Sequence, residues 1–471
     1  MLLLAAAVFV GSPACRPCHA GIAETWERSP MARSSGRAEP LPAASFVAAG
    51  HRYEIEGKRL GFEGGSARFD YFIGSNAAGR SFLWERDGYL FELPVTWYAG
   101  KRIWDASPGY EGISEIRLTR PVEASCLLCH ASQVRPVLGT QNRFGEPPFL
   151  ENGVGCERCH GPGSEHVRDP AKARMVNPAG LDAERRDAVC SQCHLTGEAR
   201  IETAGRRFAE FRAGERLADY ATYFVWQSGR RDFKVTSHVE KLASSGCKRG
   251  AGEALWCGTC HDPHGAEDEG AKTQAACLNC HAAAHRQQEN CAGCHMPRAK
   301  ASDAGHGMLT DHSIPRVPRG ARAVGESREL VAFPGTADDR SLGLAYAELG
   351  DARAREFLLR ARPADWAVRL RLAVTETDAR RAAALYESVL NERPGEVSAL
   401  VNLGTIYAAA GRTAEAGELW ERALVANPAT EQAVLNLSKI RPSAVAAGIL
   451  RRYLELEPRS RAVRDALDSL R

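Results

Sequence analysis

The sequence predicts a mainly α-helical protein in which a cysteine-rich first part, interrupted by a small β-rich insertion, is followed by a helical solenoid. Three observations support this prediction. All 15 cysteines of the 471-residue chain lie before residue 295. Polar and apolar residues alternate within residues 46–118, which is typical of strands. After residue 336, Ala, Leu, Arg and Glu dominate, and Pro394 and Pro428 stand 34 residues apart, a period typical of helical repeats.

The chain is long enough for two or three domains, and its formal net charge of +3 gives no case for nucleic-acid binding. Residues 2–10 are apolar and precede small and polar residues, which resembles a secretory signal without its basic start. That run is too short to span a bilayer, and no other stretch reaches the length of a transmembrane helix. We therefore expect residues 1–10 to be a residual signal-like segment of a truncated start. A buried first strand is the alternative.

Fourteen cysteines form seven Cys-x-x-Cys pairs, and a histidine follows each pair directly. We call these motifs sites 1 to 7 in chain order. Their residues are Cys15, Cys18 and His19 (site 1), Cys126, Cys129 and His130 (site 2), Cys156, Cys159 and His160 (site 3), Cys190, Cys193 and His194 (site 4), Cys257, Cys260 and His261 (site 5), Cys277, Cys280 and His281 (site 6), and Cys291, Cys294 and His295 (site 7). Two thiols one helical turn apart can bond to the two vinyl groups of one porphyrin, and the next residue offers an imidazole to its iron. This is the pattern of c-type haem attachment.

Disulfides and zinc ribbons also use paired cysteines, but neither requires a histidine after every second cysteine. Histidine occupies 14 of 471 positions. Seven such coincidences have a chance probability on the order of one in fifty billion. The sequence therefore predicts seven covalent haem c groups with their iron. Because thioether attachment takes place outside the cytoplasm, it also predicts a periplasmic or otherwise extracytoplasmic protein.

The other seven histidines all precede residue 313, and their number equals that of the predicted haems. The candidate distal iron ligands are His51, His166, His238, His264, His285, His306 and His312. The alternative for each is an ordinary surface histidine. His166 and His264 follow a proximal histidine too closely to reach the far face of the same ring, so each would bind a neighbouring iron. Met31 is either a thioether ligand or packing, and Cys247 is either a thiolate ligand or a buried inert thiol.

The pattern along the chain divides it into segments. Asp87-Gly88 between two alternating runs predicts a β-hairpin, and residues 51–56 also alternate. We expect a haem-packed cytochrome domain at residues 11–300 with the β-rich insertion at 46–118. Residues 301–335 are rich in Gly, Pro and Arg and indicate a connector with few contacts across it.

Residues 336–471 predict tetratricopeptide repeats. One unit carries the large, small and terminating residues of that repeat, namely Leu400, Leu403, Gly404, Tyr407, Ala416, Trp420, Ala423 and Pro428. Small Gly404 and Ala416 allow two antiparallel helices to approach, while Tyr407 and Trp420 fill the space between them. A generic helical bundle is the alternative. Stacked repeats offer a concave surface for a partner, or serve only as a scaffold.

Several short stretches resemble a known family. They are residues 73–75, 79–83, 93–98, 107–110, 155–163 and 237–240. They are similar to bacterial multihaem cytochromes with C-terminal tetratricopeptide repeats, whose haem part is similar to the tetrahaem cytochrome c of ammonia oxidation and to the hydroxylamine oxidoreductase lineage. The resemblance implies a periplasmic or cell-surface electron carrier, and a distal role for the histidine after Cys-His-Gly-Pro-Gly, here His166. The count of seven motifs departs from that family, and no counterpart of the oxidoreductase's tyrosine cross-link is evident.

Three functions remain open. The first is electron transfer through seven haems, with the repeats docking a redox protein partner. The alternative is a multihaem oxidoreductase in which one open haem acts on a small nitrogen or sulfur compound. A third hypothesis makes the repeats primary, with the cytochrome as a module of a larger assembly. The number of spare histidines favours the electron carrier over the enzyme.

Overall fold

The structure is a computed structural model that describes residues 8–110, 117–227, 233–265, 269–281, 290–304, 306–316 and 328–470. Residues 1–7 of the expected signal-like segment, and His285, lie outside the described residues. The helices are α1 (Ala20–Glu27), α2 (Ala124–Leu127), α3 (Cys156–His160), α4 (Ser164–Arg168), α5 (Ala183–His194), α6 (His238–Ala243), α7 (Gly246–Ala251), α8 (Cys257–Cys260), α9 (Glu269–Cys280), α10 (Cys291–His295), α11 (Asp339–Glu348), α12 (Ala354–Arg360), α13 (Trp366–Val374), α14 (Ala379–Glu392), α15 (Val397–Ala409), α16 (Thr413–Ala426), α17 (Glu431–Ile440), α18 (Ser443–Leu456) and α19 (Arg461–Asp468).

Strands are more numerous than the prediction of a mainly α protein allows, so that prediction holds only in part. The strands are β1 (Ser35–Arg37), β2 (Leu41–Ala48), β3 (His51–Gly57), β4 (Arg59–Phe62), β5 (Gly65–Arg68), β6 (Tyr71–Ile73), β7 (Arg80–Arg86), β8 (Tyr89–Tyr98), β9 (Ile103–Ala106), β10 (Arg120–Pro121), β11 (Ala131–Pro136), β12 (Phe144–Asn152), β13 (Ala199–Glu202), β14 (Ala221–Trp226), β15 (Arg298–Lys300), β16 (Met308–Thr310) and β17 (Leu330–Ala332). Among the described helices, none is both long and apolar enough to cross a membrane.

The β-rich region consists of two sheets that share a core. One sheet has the order β1-β6-β7-β8-β10 with β9 also pairing β8, and the other has the order β2-β3-β4-β5. Phe91, Leu93 and Val95 of β8 are buried between the two sheets. The hairpin predicted from the sequence joins β7 to β8. Asp87 and Gly88 have φ angles of 54° and 84°, which is the left-handed conformation that a two-residue hairpin turn of this kind requires.

The C-terminal region is the predicted array of antiparallel helix pairs, from α11 to α18, followed by α19. Its close approaches depend on small residues. A Cβ atom on Gly404 of α15 would lie 2.5 Å from Nε1 of Trp420 on α16. That indole instead donates a hydrogen bond to the Val401 carbonyl at 3.2 Å. The packing role predicted for Gly404 and Trp420 is therefore confirmed.

The array packs directly on the β-rich region, so the expectation of few contacts across the connector is wrong. The buried Glu457 carboxylate accepts a hydrogen bond from the Leu118 amide at 2.6 Å. The Gln141 amide donates to the Ala426 carbonyl at 3.0 Å, and the Asn427 amide group donates to the Gln141 side chain at 2.9 Å. In addition, β17, within the expected connector, pairs with β14. Polar turns between repeats, which a sequence pattern places in solvent, make these contacts.

Candidate haem-binding site

Five of the attachment motifs lie on a short helix or at the end of a longer one, whereas site 1 is a turn before α1 and α2 ends before Cys129 of site 2. Site 3 and site 7 are the helices α3 and α10, site 4 ends α5, and the cysteines of sites 5 and 6 lie on α8 and at the end of α9. At sites 1, 5 and 6 the histidine amide donates to the carbonyl of the first cysteine at 3.0, 2.9 and 2.9 Å. This hydrogen bond fixes the turn that brings two thiols and one imidazole to the same cofactor.

One continuous cavity of about 3550 Å³ joins the seven sites. The histidine and at least one cysteine of every site lie on its wall. A pocket for one small ligand has a volume of roughly 300–1,000 Å³, so a cavity of this size fits several large cofactors. The donor set also fits haem, because each site offers two thiols and an imidazole.

Three of the predicted distal histidines face a proximal histidine of another site. Since an imidazole nitrogen lies about 2 Å from a bound metal ion, two imidazoles on opposite sides of one iron place their ring centroids roughly 6 Å apart. The pairs are His19–His166 at 6.4 Å, His160–His264 at 6.0 Å and His261–His312 at 6.1 Å, with interplanar angles of 24°, 4° and 28°. Both His166 and His264 thus follow one site and face another, which is the arrangement that the sequence argument requires.

Carbonyl oxygens fix the tautomer of several of these rings. Nδ1 of His160 lies 2.7 Å from the Val176 carbonyl oxygen, and Nδ1 of His166 lies 2.7 Å from the Ala173 carbonyl oxygen. Nδ1 of His312 makes the same contact at 3.0 Å with Thr310. A carbonyl only accepts, so Nδ1 carries the proton and Nε2 keeps the lone pair that an iron ion needs.

His238 has a different geometry from the three stacked pairs. Its ring lies 5.1 Å from His194 and 4.7 Å from His312, with interplanar angles of 82° in both cases. Burial is the largest cause that lowers the pKa of His238, to about 3, and the neighbouring histidines lower it further. Burial also lowers the pKa of His194. These imidazoles are therefore neutral, which is the form that binds metal ions.

The two remaining described candidates, His51 and His306, lie off the cavity wall. His51 begins β3, and its Nδ1 is 2.9 Å from the guanidinium of Arg459. Nε2 of His306 is 2.6 Å from the Asp105 carboxylate, and its ring lies 4.9 Å from that of Tyr98. The structure thus brings four of the six described candidates together with proximal histidines and places these two elsewhere.

Met31 and Cys247 both line the cavity. The Ser34 hydroxyl links Met31 to site 2, because it donates to the Met31 carbonyl at 2.7 Å and lies 2.9 Å from the His130 carbonyl. The Cys247 thiol is close enough to the thiols of Cys260 and Cys277 to raise their pKa values, after the larger effect of burial. Both therefore remain candidate ligands, Met31 near site 2 and Cys247 between sites 5 and 6.

Contacts between thiols of different sites give the sites an order in space. Cysteines of sites 1 and 3, of sites 2 and 4, of sites 4 and 5, and of sites 6 and 7 lie close enough for their thiols to change each other's pKa values. Cysteines of sites 3 and 4, and of sites 5 and 6, are near enough to influence each other's charge. The sites therefore follow the path 1-3-4-5-6-7. Site 2 lies beside sites 3 and 4, because Arg158 within site 3 also donates to the Leu128 carbonyl within site 2 at 3.1 Å.

A buried carboxylate inside the motif of site 3 connects the beginning of the described chain to this path. Glu157 accepts hydrogen bonds from the amides of Val10 at 2.9 Å, Gly11 at 2.7 Å and Gly163 at 2.7 Å. Glu157 is 3% exposed. Charge-assisted bonds of this kind are about twice as strong as neutral ones, so Glu157 fixes site 1 beside site 3.

The sequence did not reveal that one face of the β-rich region forms part of the cavity wall. Glu92, Thr96 and Tyr98 of β8 all line the cavity, together with Arg120 of β10. They alternate with the buried apolar residues of the same strand. Polar residues at every second position normally indicate a solvated face, and only the docked cytochrome region shows that this face is covered.

Comparisons with known proteins agree with this description. The family described as cytochrome c554 and c-prime matches residues 110–161, which hold sites 2 and 3, and a tetratricopeptide repeat family matches residues 373–438. The multiheme cytochrome MtrA of Shewanella baltica (strain OS185) is 24% identical over 181 residues, which are 34% of this chain and 52% of the relative. The chain therefore spans about half the length of the curated relative that it matches.

Two solved structures are also similar. The outer cell wall cytochrome OcwA is 16% identical, with a TM-score of 0.46, and the similarity covers 92% of this chain and 100% of that one. A tetratricopeptide repeat protein from Parabacteroides merdae is 20% identical with a TM-score of 0.25, and the similarity covers 28% of this chain and 57% of that one. Together with the seven motifs, the family matches support a multihaem cytochrome c that carries tetratricopeptide repeats. The relation to the hydroxylamine oxidoreductase lineage stays a prediction.

Proposed function

We propose that this protein transfers electrons through seven covalently bound c-type haems outside the cytoplasm. The observation that carries the proposal is the single cavity whose wall holds the histidine and a cysteine of every site. Bound haem supplies reversible one-electron chemistry at iron. The chain's own contribution is to hold the attachment sites in one connected order.

The path of sites reaches the surface at both ends. Cys18 of site 1 and Cys294 of site 7 are exposed, and so are Cys126 of site 2 and Cys280 of site 6. None of the cysteines of sites 3, 4 and 5, which are all described, is exposed. Electrons would enter and leave at the outer sites, while the central sites are kept from solvent. The four histidines near proximal partners would keep the iron six-coordinate, which suits rapid electron exchange.

The tetratricopeptide array contributes to this function as the proposed docking surface for a redox protein partner. Part of its polar turns already packs on the β-rich region, so the array is also a scaffold for the cytochrome region. Covalent attachment outside the cytoplasm and the signal-like start both favour a periplasmic or cell-surface location.

The first test is the intact mass of protein matured in a host that attaches haem. The expected mass exceeds that of the polypeptide by seven haems, and a reproducible excess of six or fewer in fully matured protein contradicts the proposal.

A second test concerns the path. The Cys190→Ala/Cys193→Ala variant lacks site 4 and should split reoxidation of the reduced protein into a fast and a slow phase. The control Cys15→Ala/Cys18→Ala lacks only the terminal site 1, so its remaining haems should reoxidise together. Identical reoxidation kinetics in both variants would show that site 4 does not connect the two ends of the path.

A further inference from the structure

Three attachment sites meet at one point through the residues between their cysteines. Arg158, inside the motif of site 3, donates to the carbonyl of Leu128, inside the motif of site 2, at 3.1 Å. The side chain of Gln192, inside the motif of site 4, donates to the carbonyl of Arg158 at 3.3 Å. The thiol of Cys129 in site 2 lies 3.9 Å from the Gln192 carbonyl oxygen. Sites 2, 3 and 4 are thus in contact pairwise, and we call this group of three sites the junction.

Three routes to the surface leave the junction. Site 3 leads to site 1, whose Cys18 is exposed, and site 4 leads through site 5 to sites 6 and 7, whose Cys280 and Cys294 are exposed. Site 2 is itself exposed at Cys126. An electron that passes from one of these routes to another must cross the junction. The stability of the reduced state at sites 2, 3 and 4 therefore determines how the protein distributes its electrons.

A single guanidinium lies close to all three sites of the junction. The neighbouring thiol is the largest influence on the pKa values of Cys129 and Cys193, and burial is the largest influence on that of Cys159. The positive charge of Arg158 acts on all three pKa values in the lowering direction. Arg158 therefore lies near one thiol of each of sites 2, 3 and 4. Arg200 of β13 acts in the same direction on Cys129.

Arg158 carries its charge inside the protein. The residue is partly buried, and its Nε atom is buried without a hydrogen-bond partner among the described residues. The neighbouring Glu157 carboxylate is engaged elsewhere, by the amides of Val10 and Gly11. Arg158 lies off the cavity wall, whereas the three thiols near it line the cavity. A charge in this position is screened less by salt than a surface charge, and its Coulomb interactions are stronger than they would be in water.

We propose that Arg158 makes the junction the place where electrons reside, because its guanidinium stabilises the reduced state of the haems at sites 2, 3 and 4. Reduction adds one electron and no atom to a haem, so it removes one unit of positive charge, and a nearby cation favours that change. The motif of site 1 also contains an arginine, Arg16, but that residue is exposed and pairs with Glu27 at 2.7 Å. The proposal rests on the proposed function, because it requires haem at all three sites.

A spectroscopic redox titration of the full-length protein, with dithionite as the electron donor, tests the proposal. Arg158→Gln removes the charge, so the equilibrium constant for reducing three of the seven haems should fall roughly tenfold. For a one-electron couple this is a shift of about 59 mV to lower potential. A variant that has the mass of seven haems and the titration curve of the wild type overturns the proposal. A wild-type mass with fewer than seven haems contradicts the proposed function instead.

Two further variants separate the charge from the structure around it. Arg158→Lys keeps the positive charge without the planar guanidinium, so its titration curve should stay close to that of the wild type. An equal shift in Arg158→Lys and Arg158→Gln overturns the role of the charge. Arg16→Gln is the matched control, because it also removes an arginine from between two attachment cysteines, and its curve should match the wild type. A shift as large as that of Arg158→Gln would overturn the special position of the junction.

Arg200→Gln tests the same effect from outside the motifs. Because Arg200 lies near Cys129 of site 2, its removal should lower the potential of at least one haem while the mass still shows seven haems. If Arg158→Gln does not take up its full set of haems, this variant decides the question. An unchanged titration curve for Arg200→Gln then overturns the proposal.

Discussion

The helical array and the segment that carries sites 5 to 7 obtain their cores in opposite ways. Helix α15 alone buries Ala399, Leu400, Val401, Leu403 and Gly404. Between residues 246 and 300, by contrast, none of the described residues is buried, although this segment contains three attachment sites. The array is therefore stabilised by its own side chains. The other segment surrounds a cavity, and its hydrophobic core must come from the covalently attached cofactors.

The largest expected effect follows from this difference. In full-length protein produced without haem attachment, residues 246–300 should be cleaved rapidly by a protease, because their folding depends on cofactor binding. The array at 336–471 should be cleaved much more slowly in the same sample. Mass spectrometry of the fragments measures both rates. Equal protection of the two regions would mean that residues 246–300 have a core independent of haem.

The next effect concerns a single predicted ligand. His166→Ala should convert one haem from low-spin to high-spin and raise carbon monoxide uptake by one equivalent, because His166 faces the proximal His19. His51→Ala is the matched control, since that ring contacts Arg459 away from the cavity. Electron paramagnetic resonance of both variants measures the change. If the two spectra are the same, His166 is not a ligand.

A smaller effect is expected within the array. Gly404→Ala places a methyl group against the Trp420 indole and should lower the free energy of unfolding of the array by about 1–3 kcal/mol. Gly448→Ala is the control on α18, where an added Cβ meets nothing within 4 Å, and it should stabilise the helix by roughly 0.5–1 kcal/mol. Thermal unfolding followed by circular dichroism compares them, and a stabilised Gly404→Ala variant would contradict the packing argument.

The smallest effect is a pH dependence at the contact between array and sheet. Burial raises the pKa of Glu457, so the contribution of this carboxyl to stability is greatest below the pKa of the unfolded chain and falls as pH rises through the folded-state value. Compared with wild type, Glu457→Gln should therefore gain stability as pH rises from about 4 to about 7. Glu418→Gln on α16 is the control and should follow the wild type, since Glu418 is exposed and forms no ion pair among the described residues. Denaturant unfolding across this range measures the difference.

Local patterns predicted the parts of the fold that local physics determines. The Asp87-Gly88 turn requires two residues that tolerate a left-handed backbone, and the Trp420 indole requires a residue without a side chain at position 404. Both features could therefore be predicted from the sequence. The attachment sites were also evident, because their chemistry requires a fixed spacing. The docking of the array through Glu457 could not be predicted, because a carboxylate in a polar turn usually faces water. The position of Glu92 on the cavity wall could not be predicted either, because its burial depends on a distant part of the chain.

The paired histidines also bear on how the protein matures. Each of His166, His264 and His312 comes after the proximal histidine that it faces, and His166 and His264 each follow a later attachment site. In a chain that crosses a membrane from its N-terminus, the proximal histidine of such a pair therefore emerges before the histidine that faces it. If both histidines hold one iron, the second would become available only when a downstream segment arrives. The order of export would thus determine the order in which the sites are completed, and site 1 would be completed only after the segment that follows site 3 has been exported.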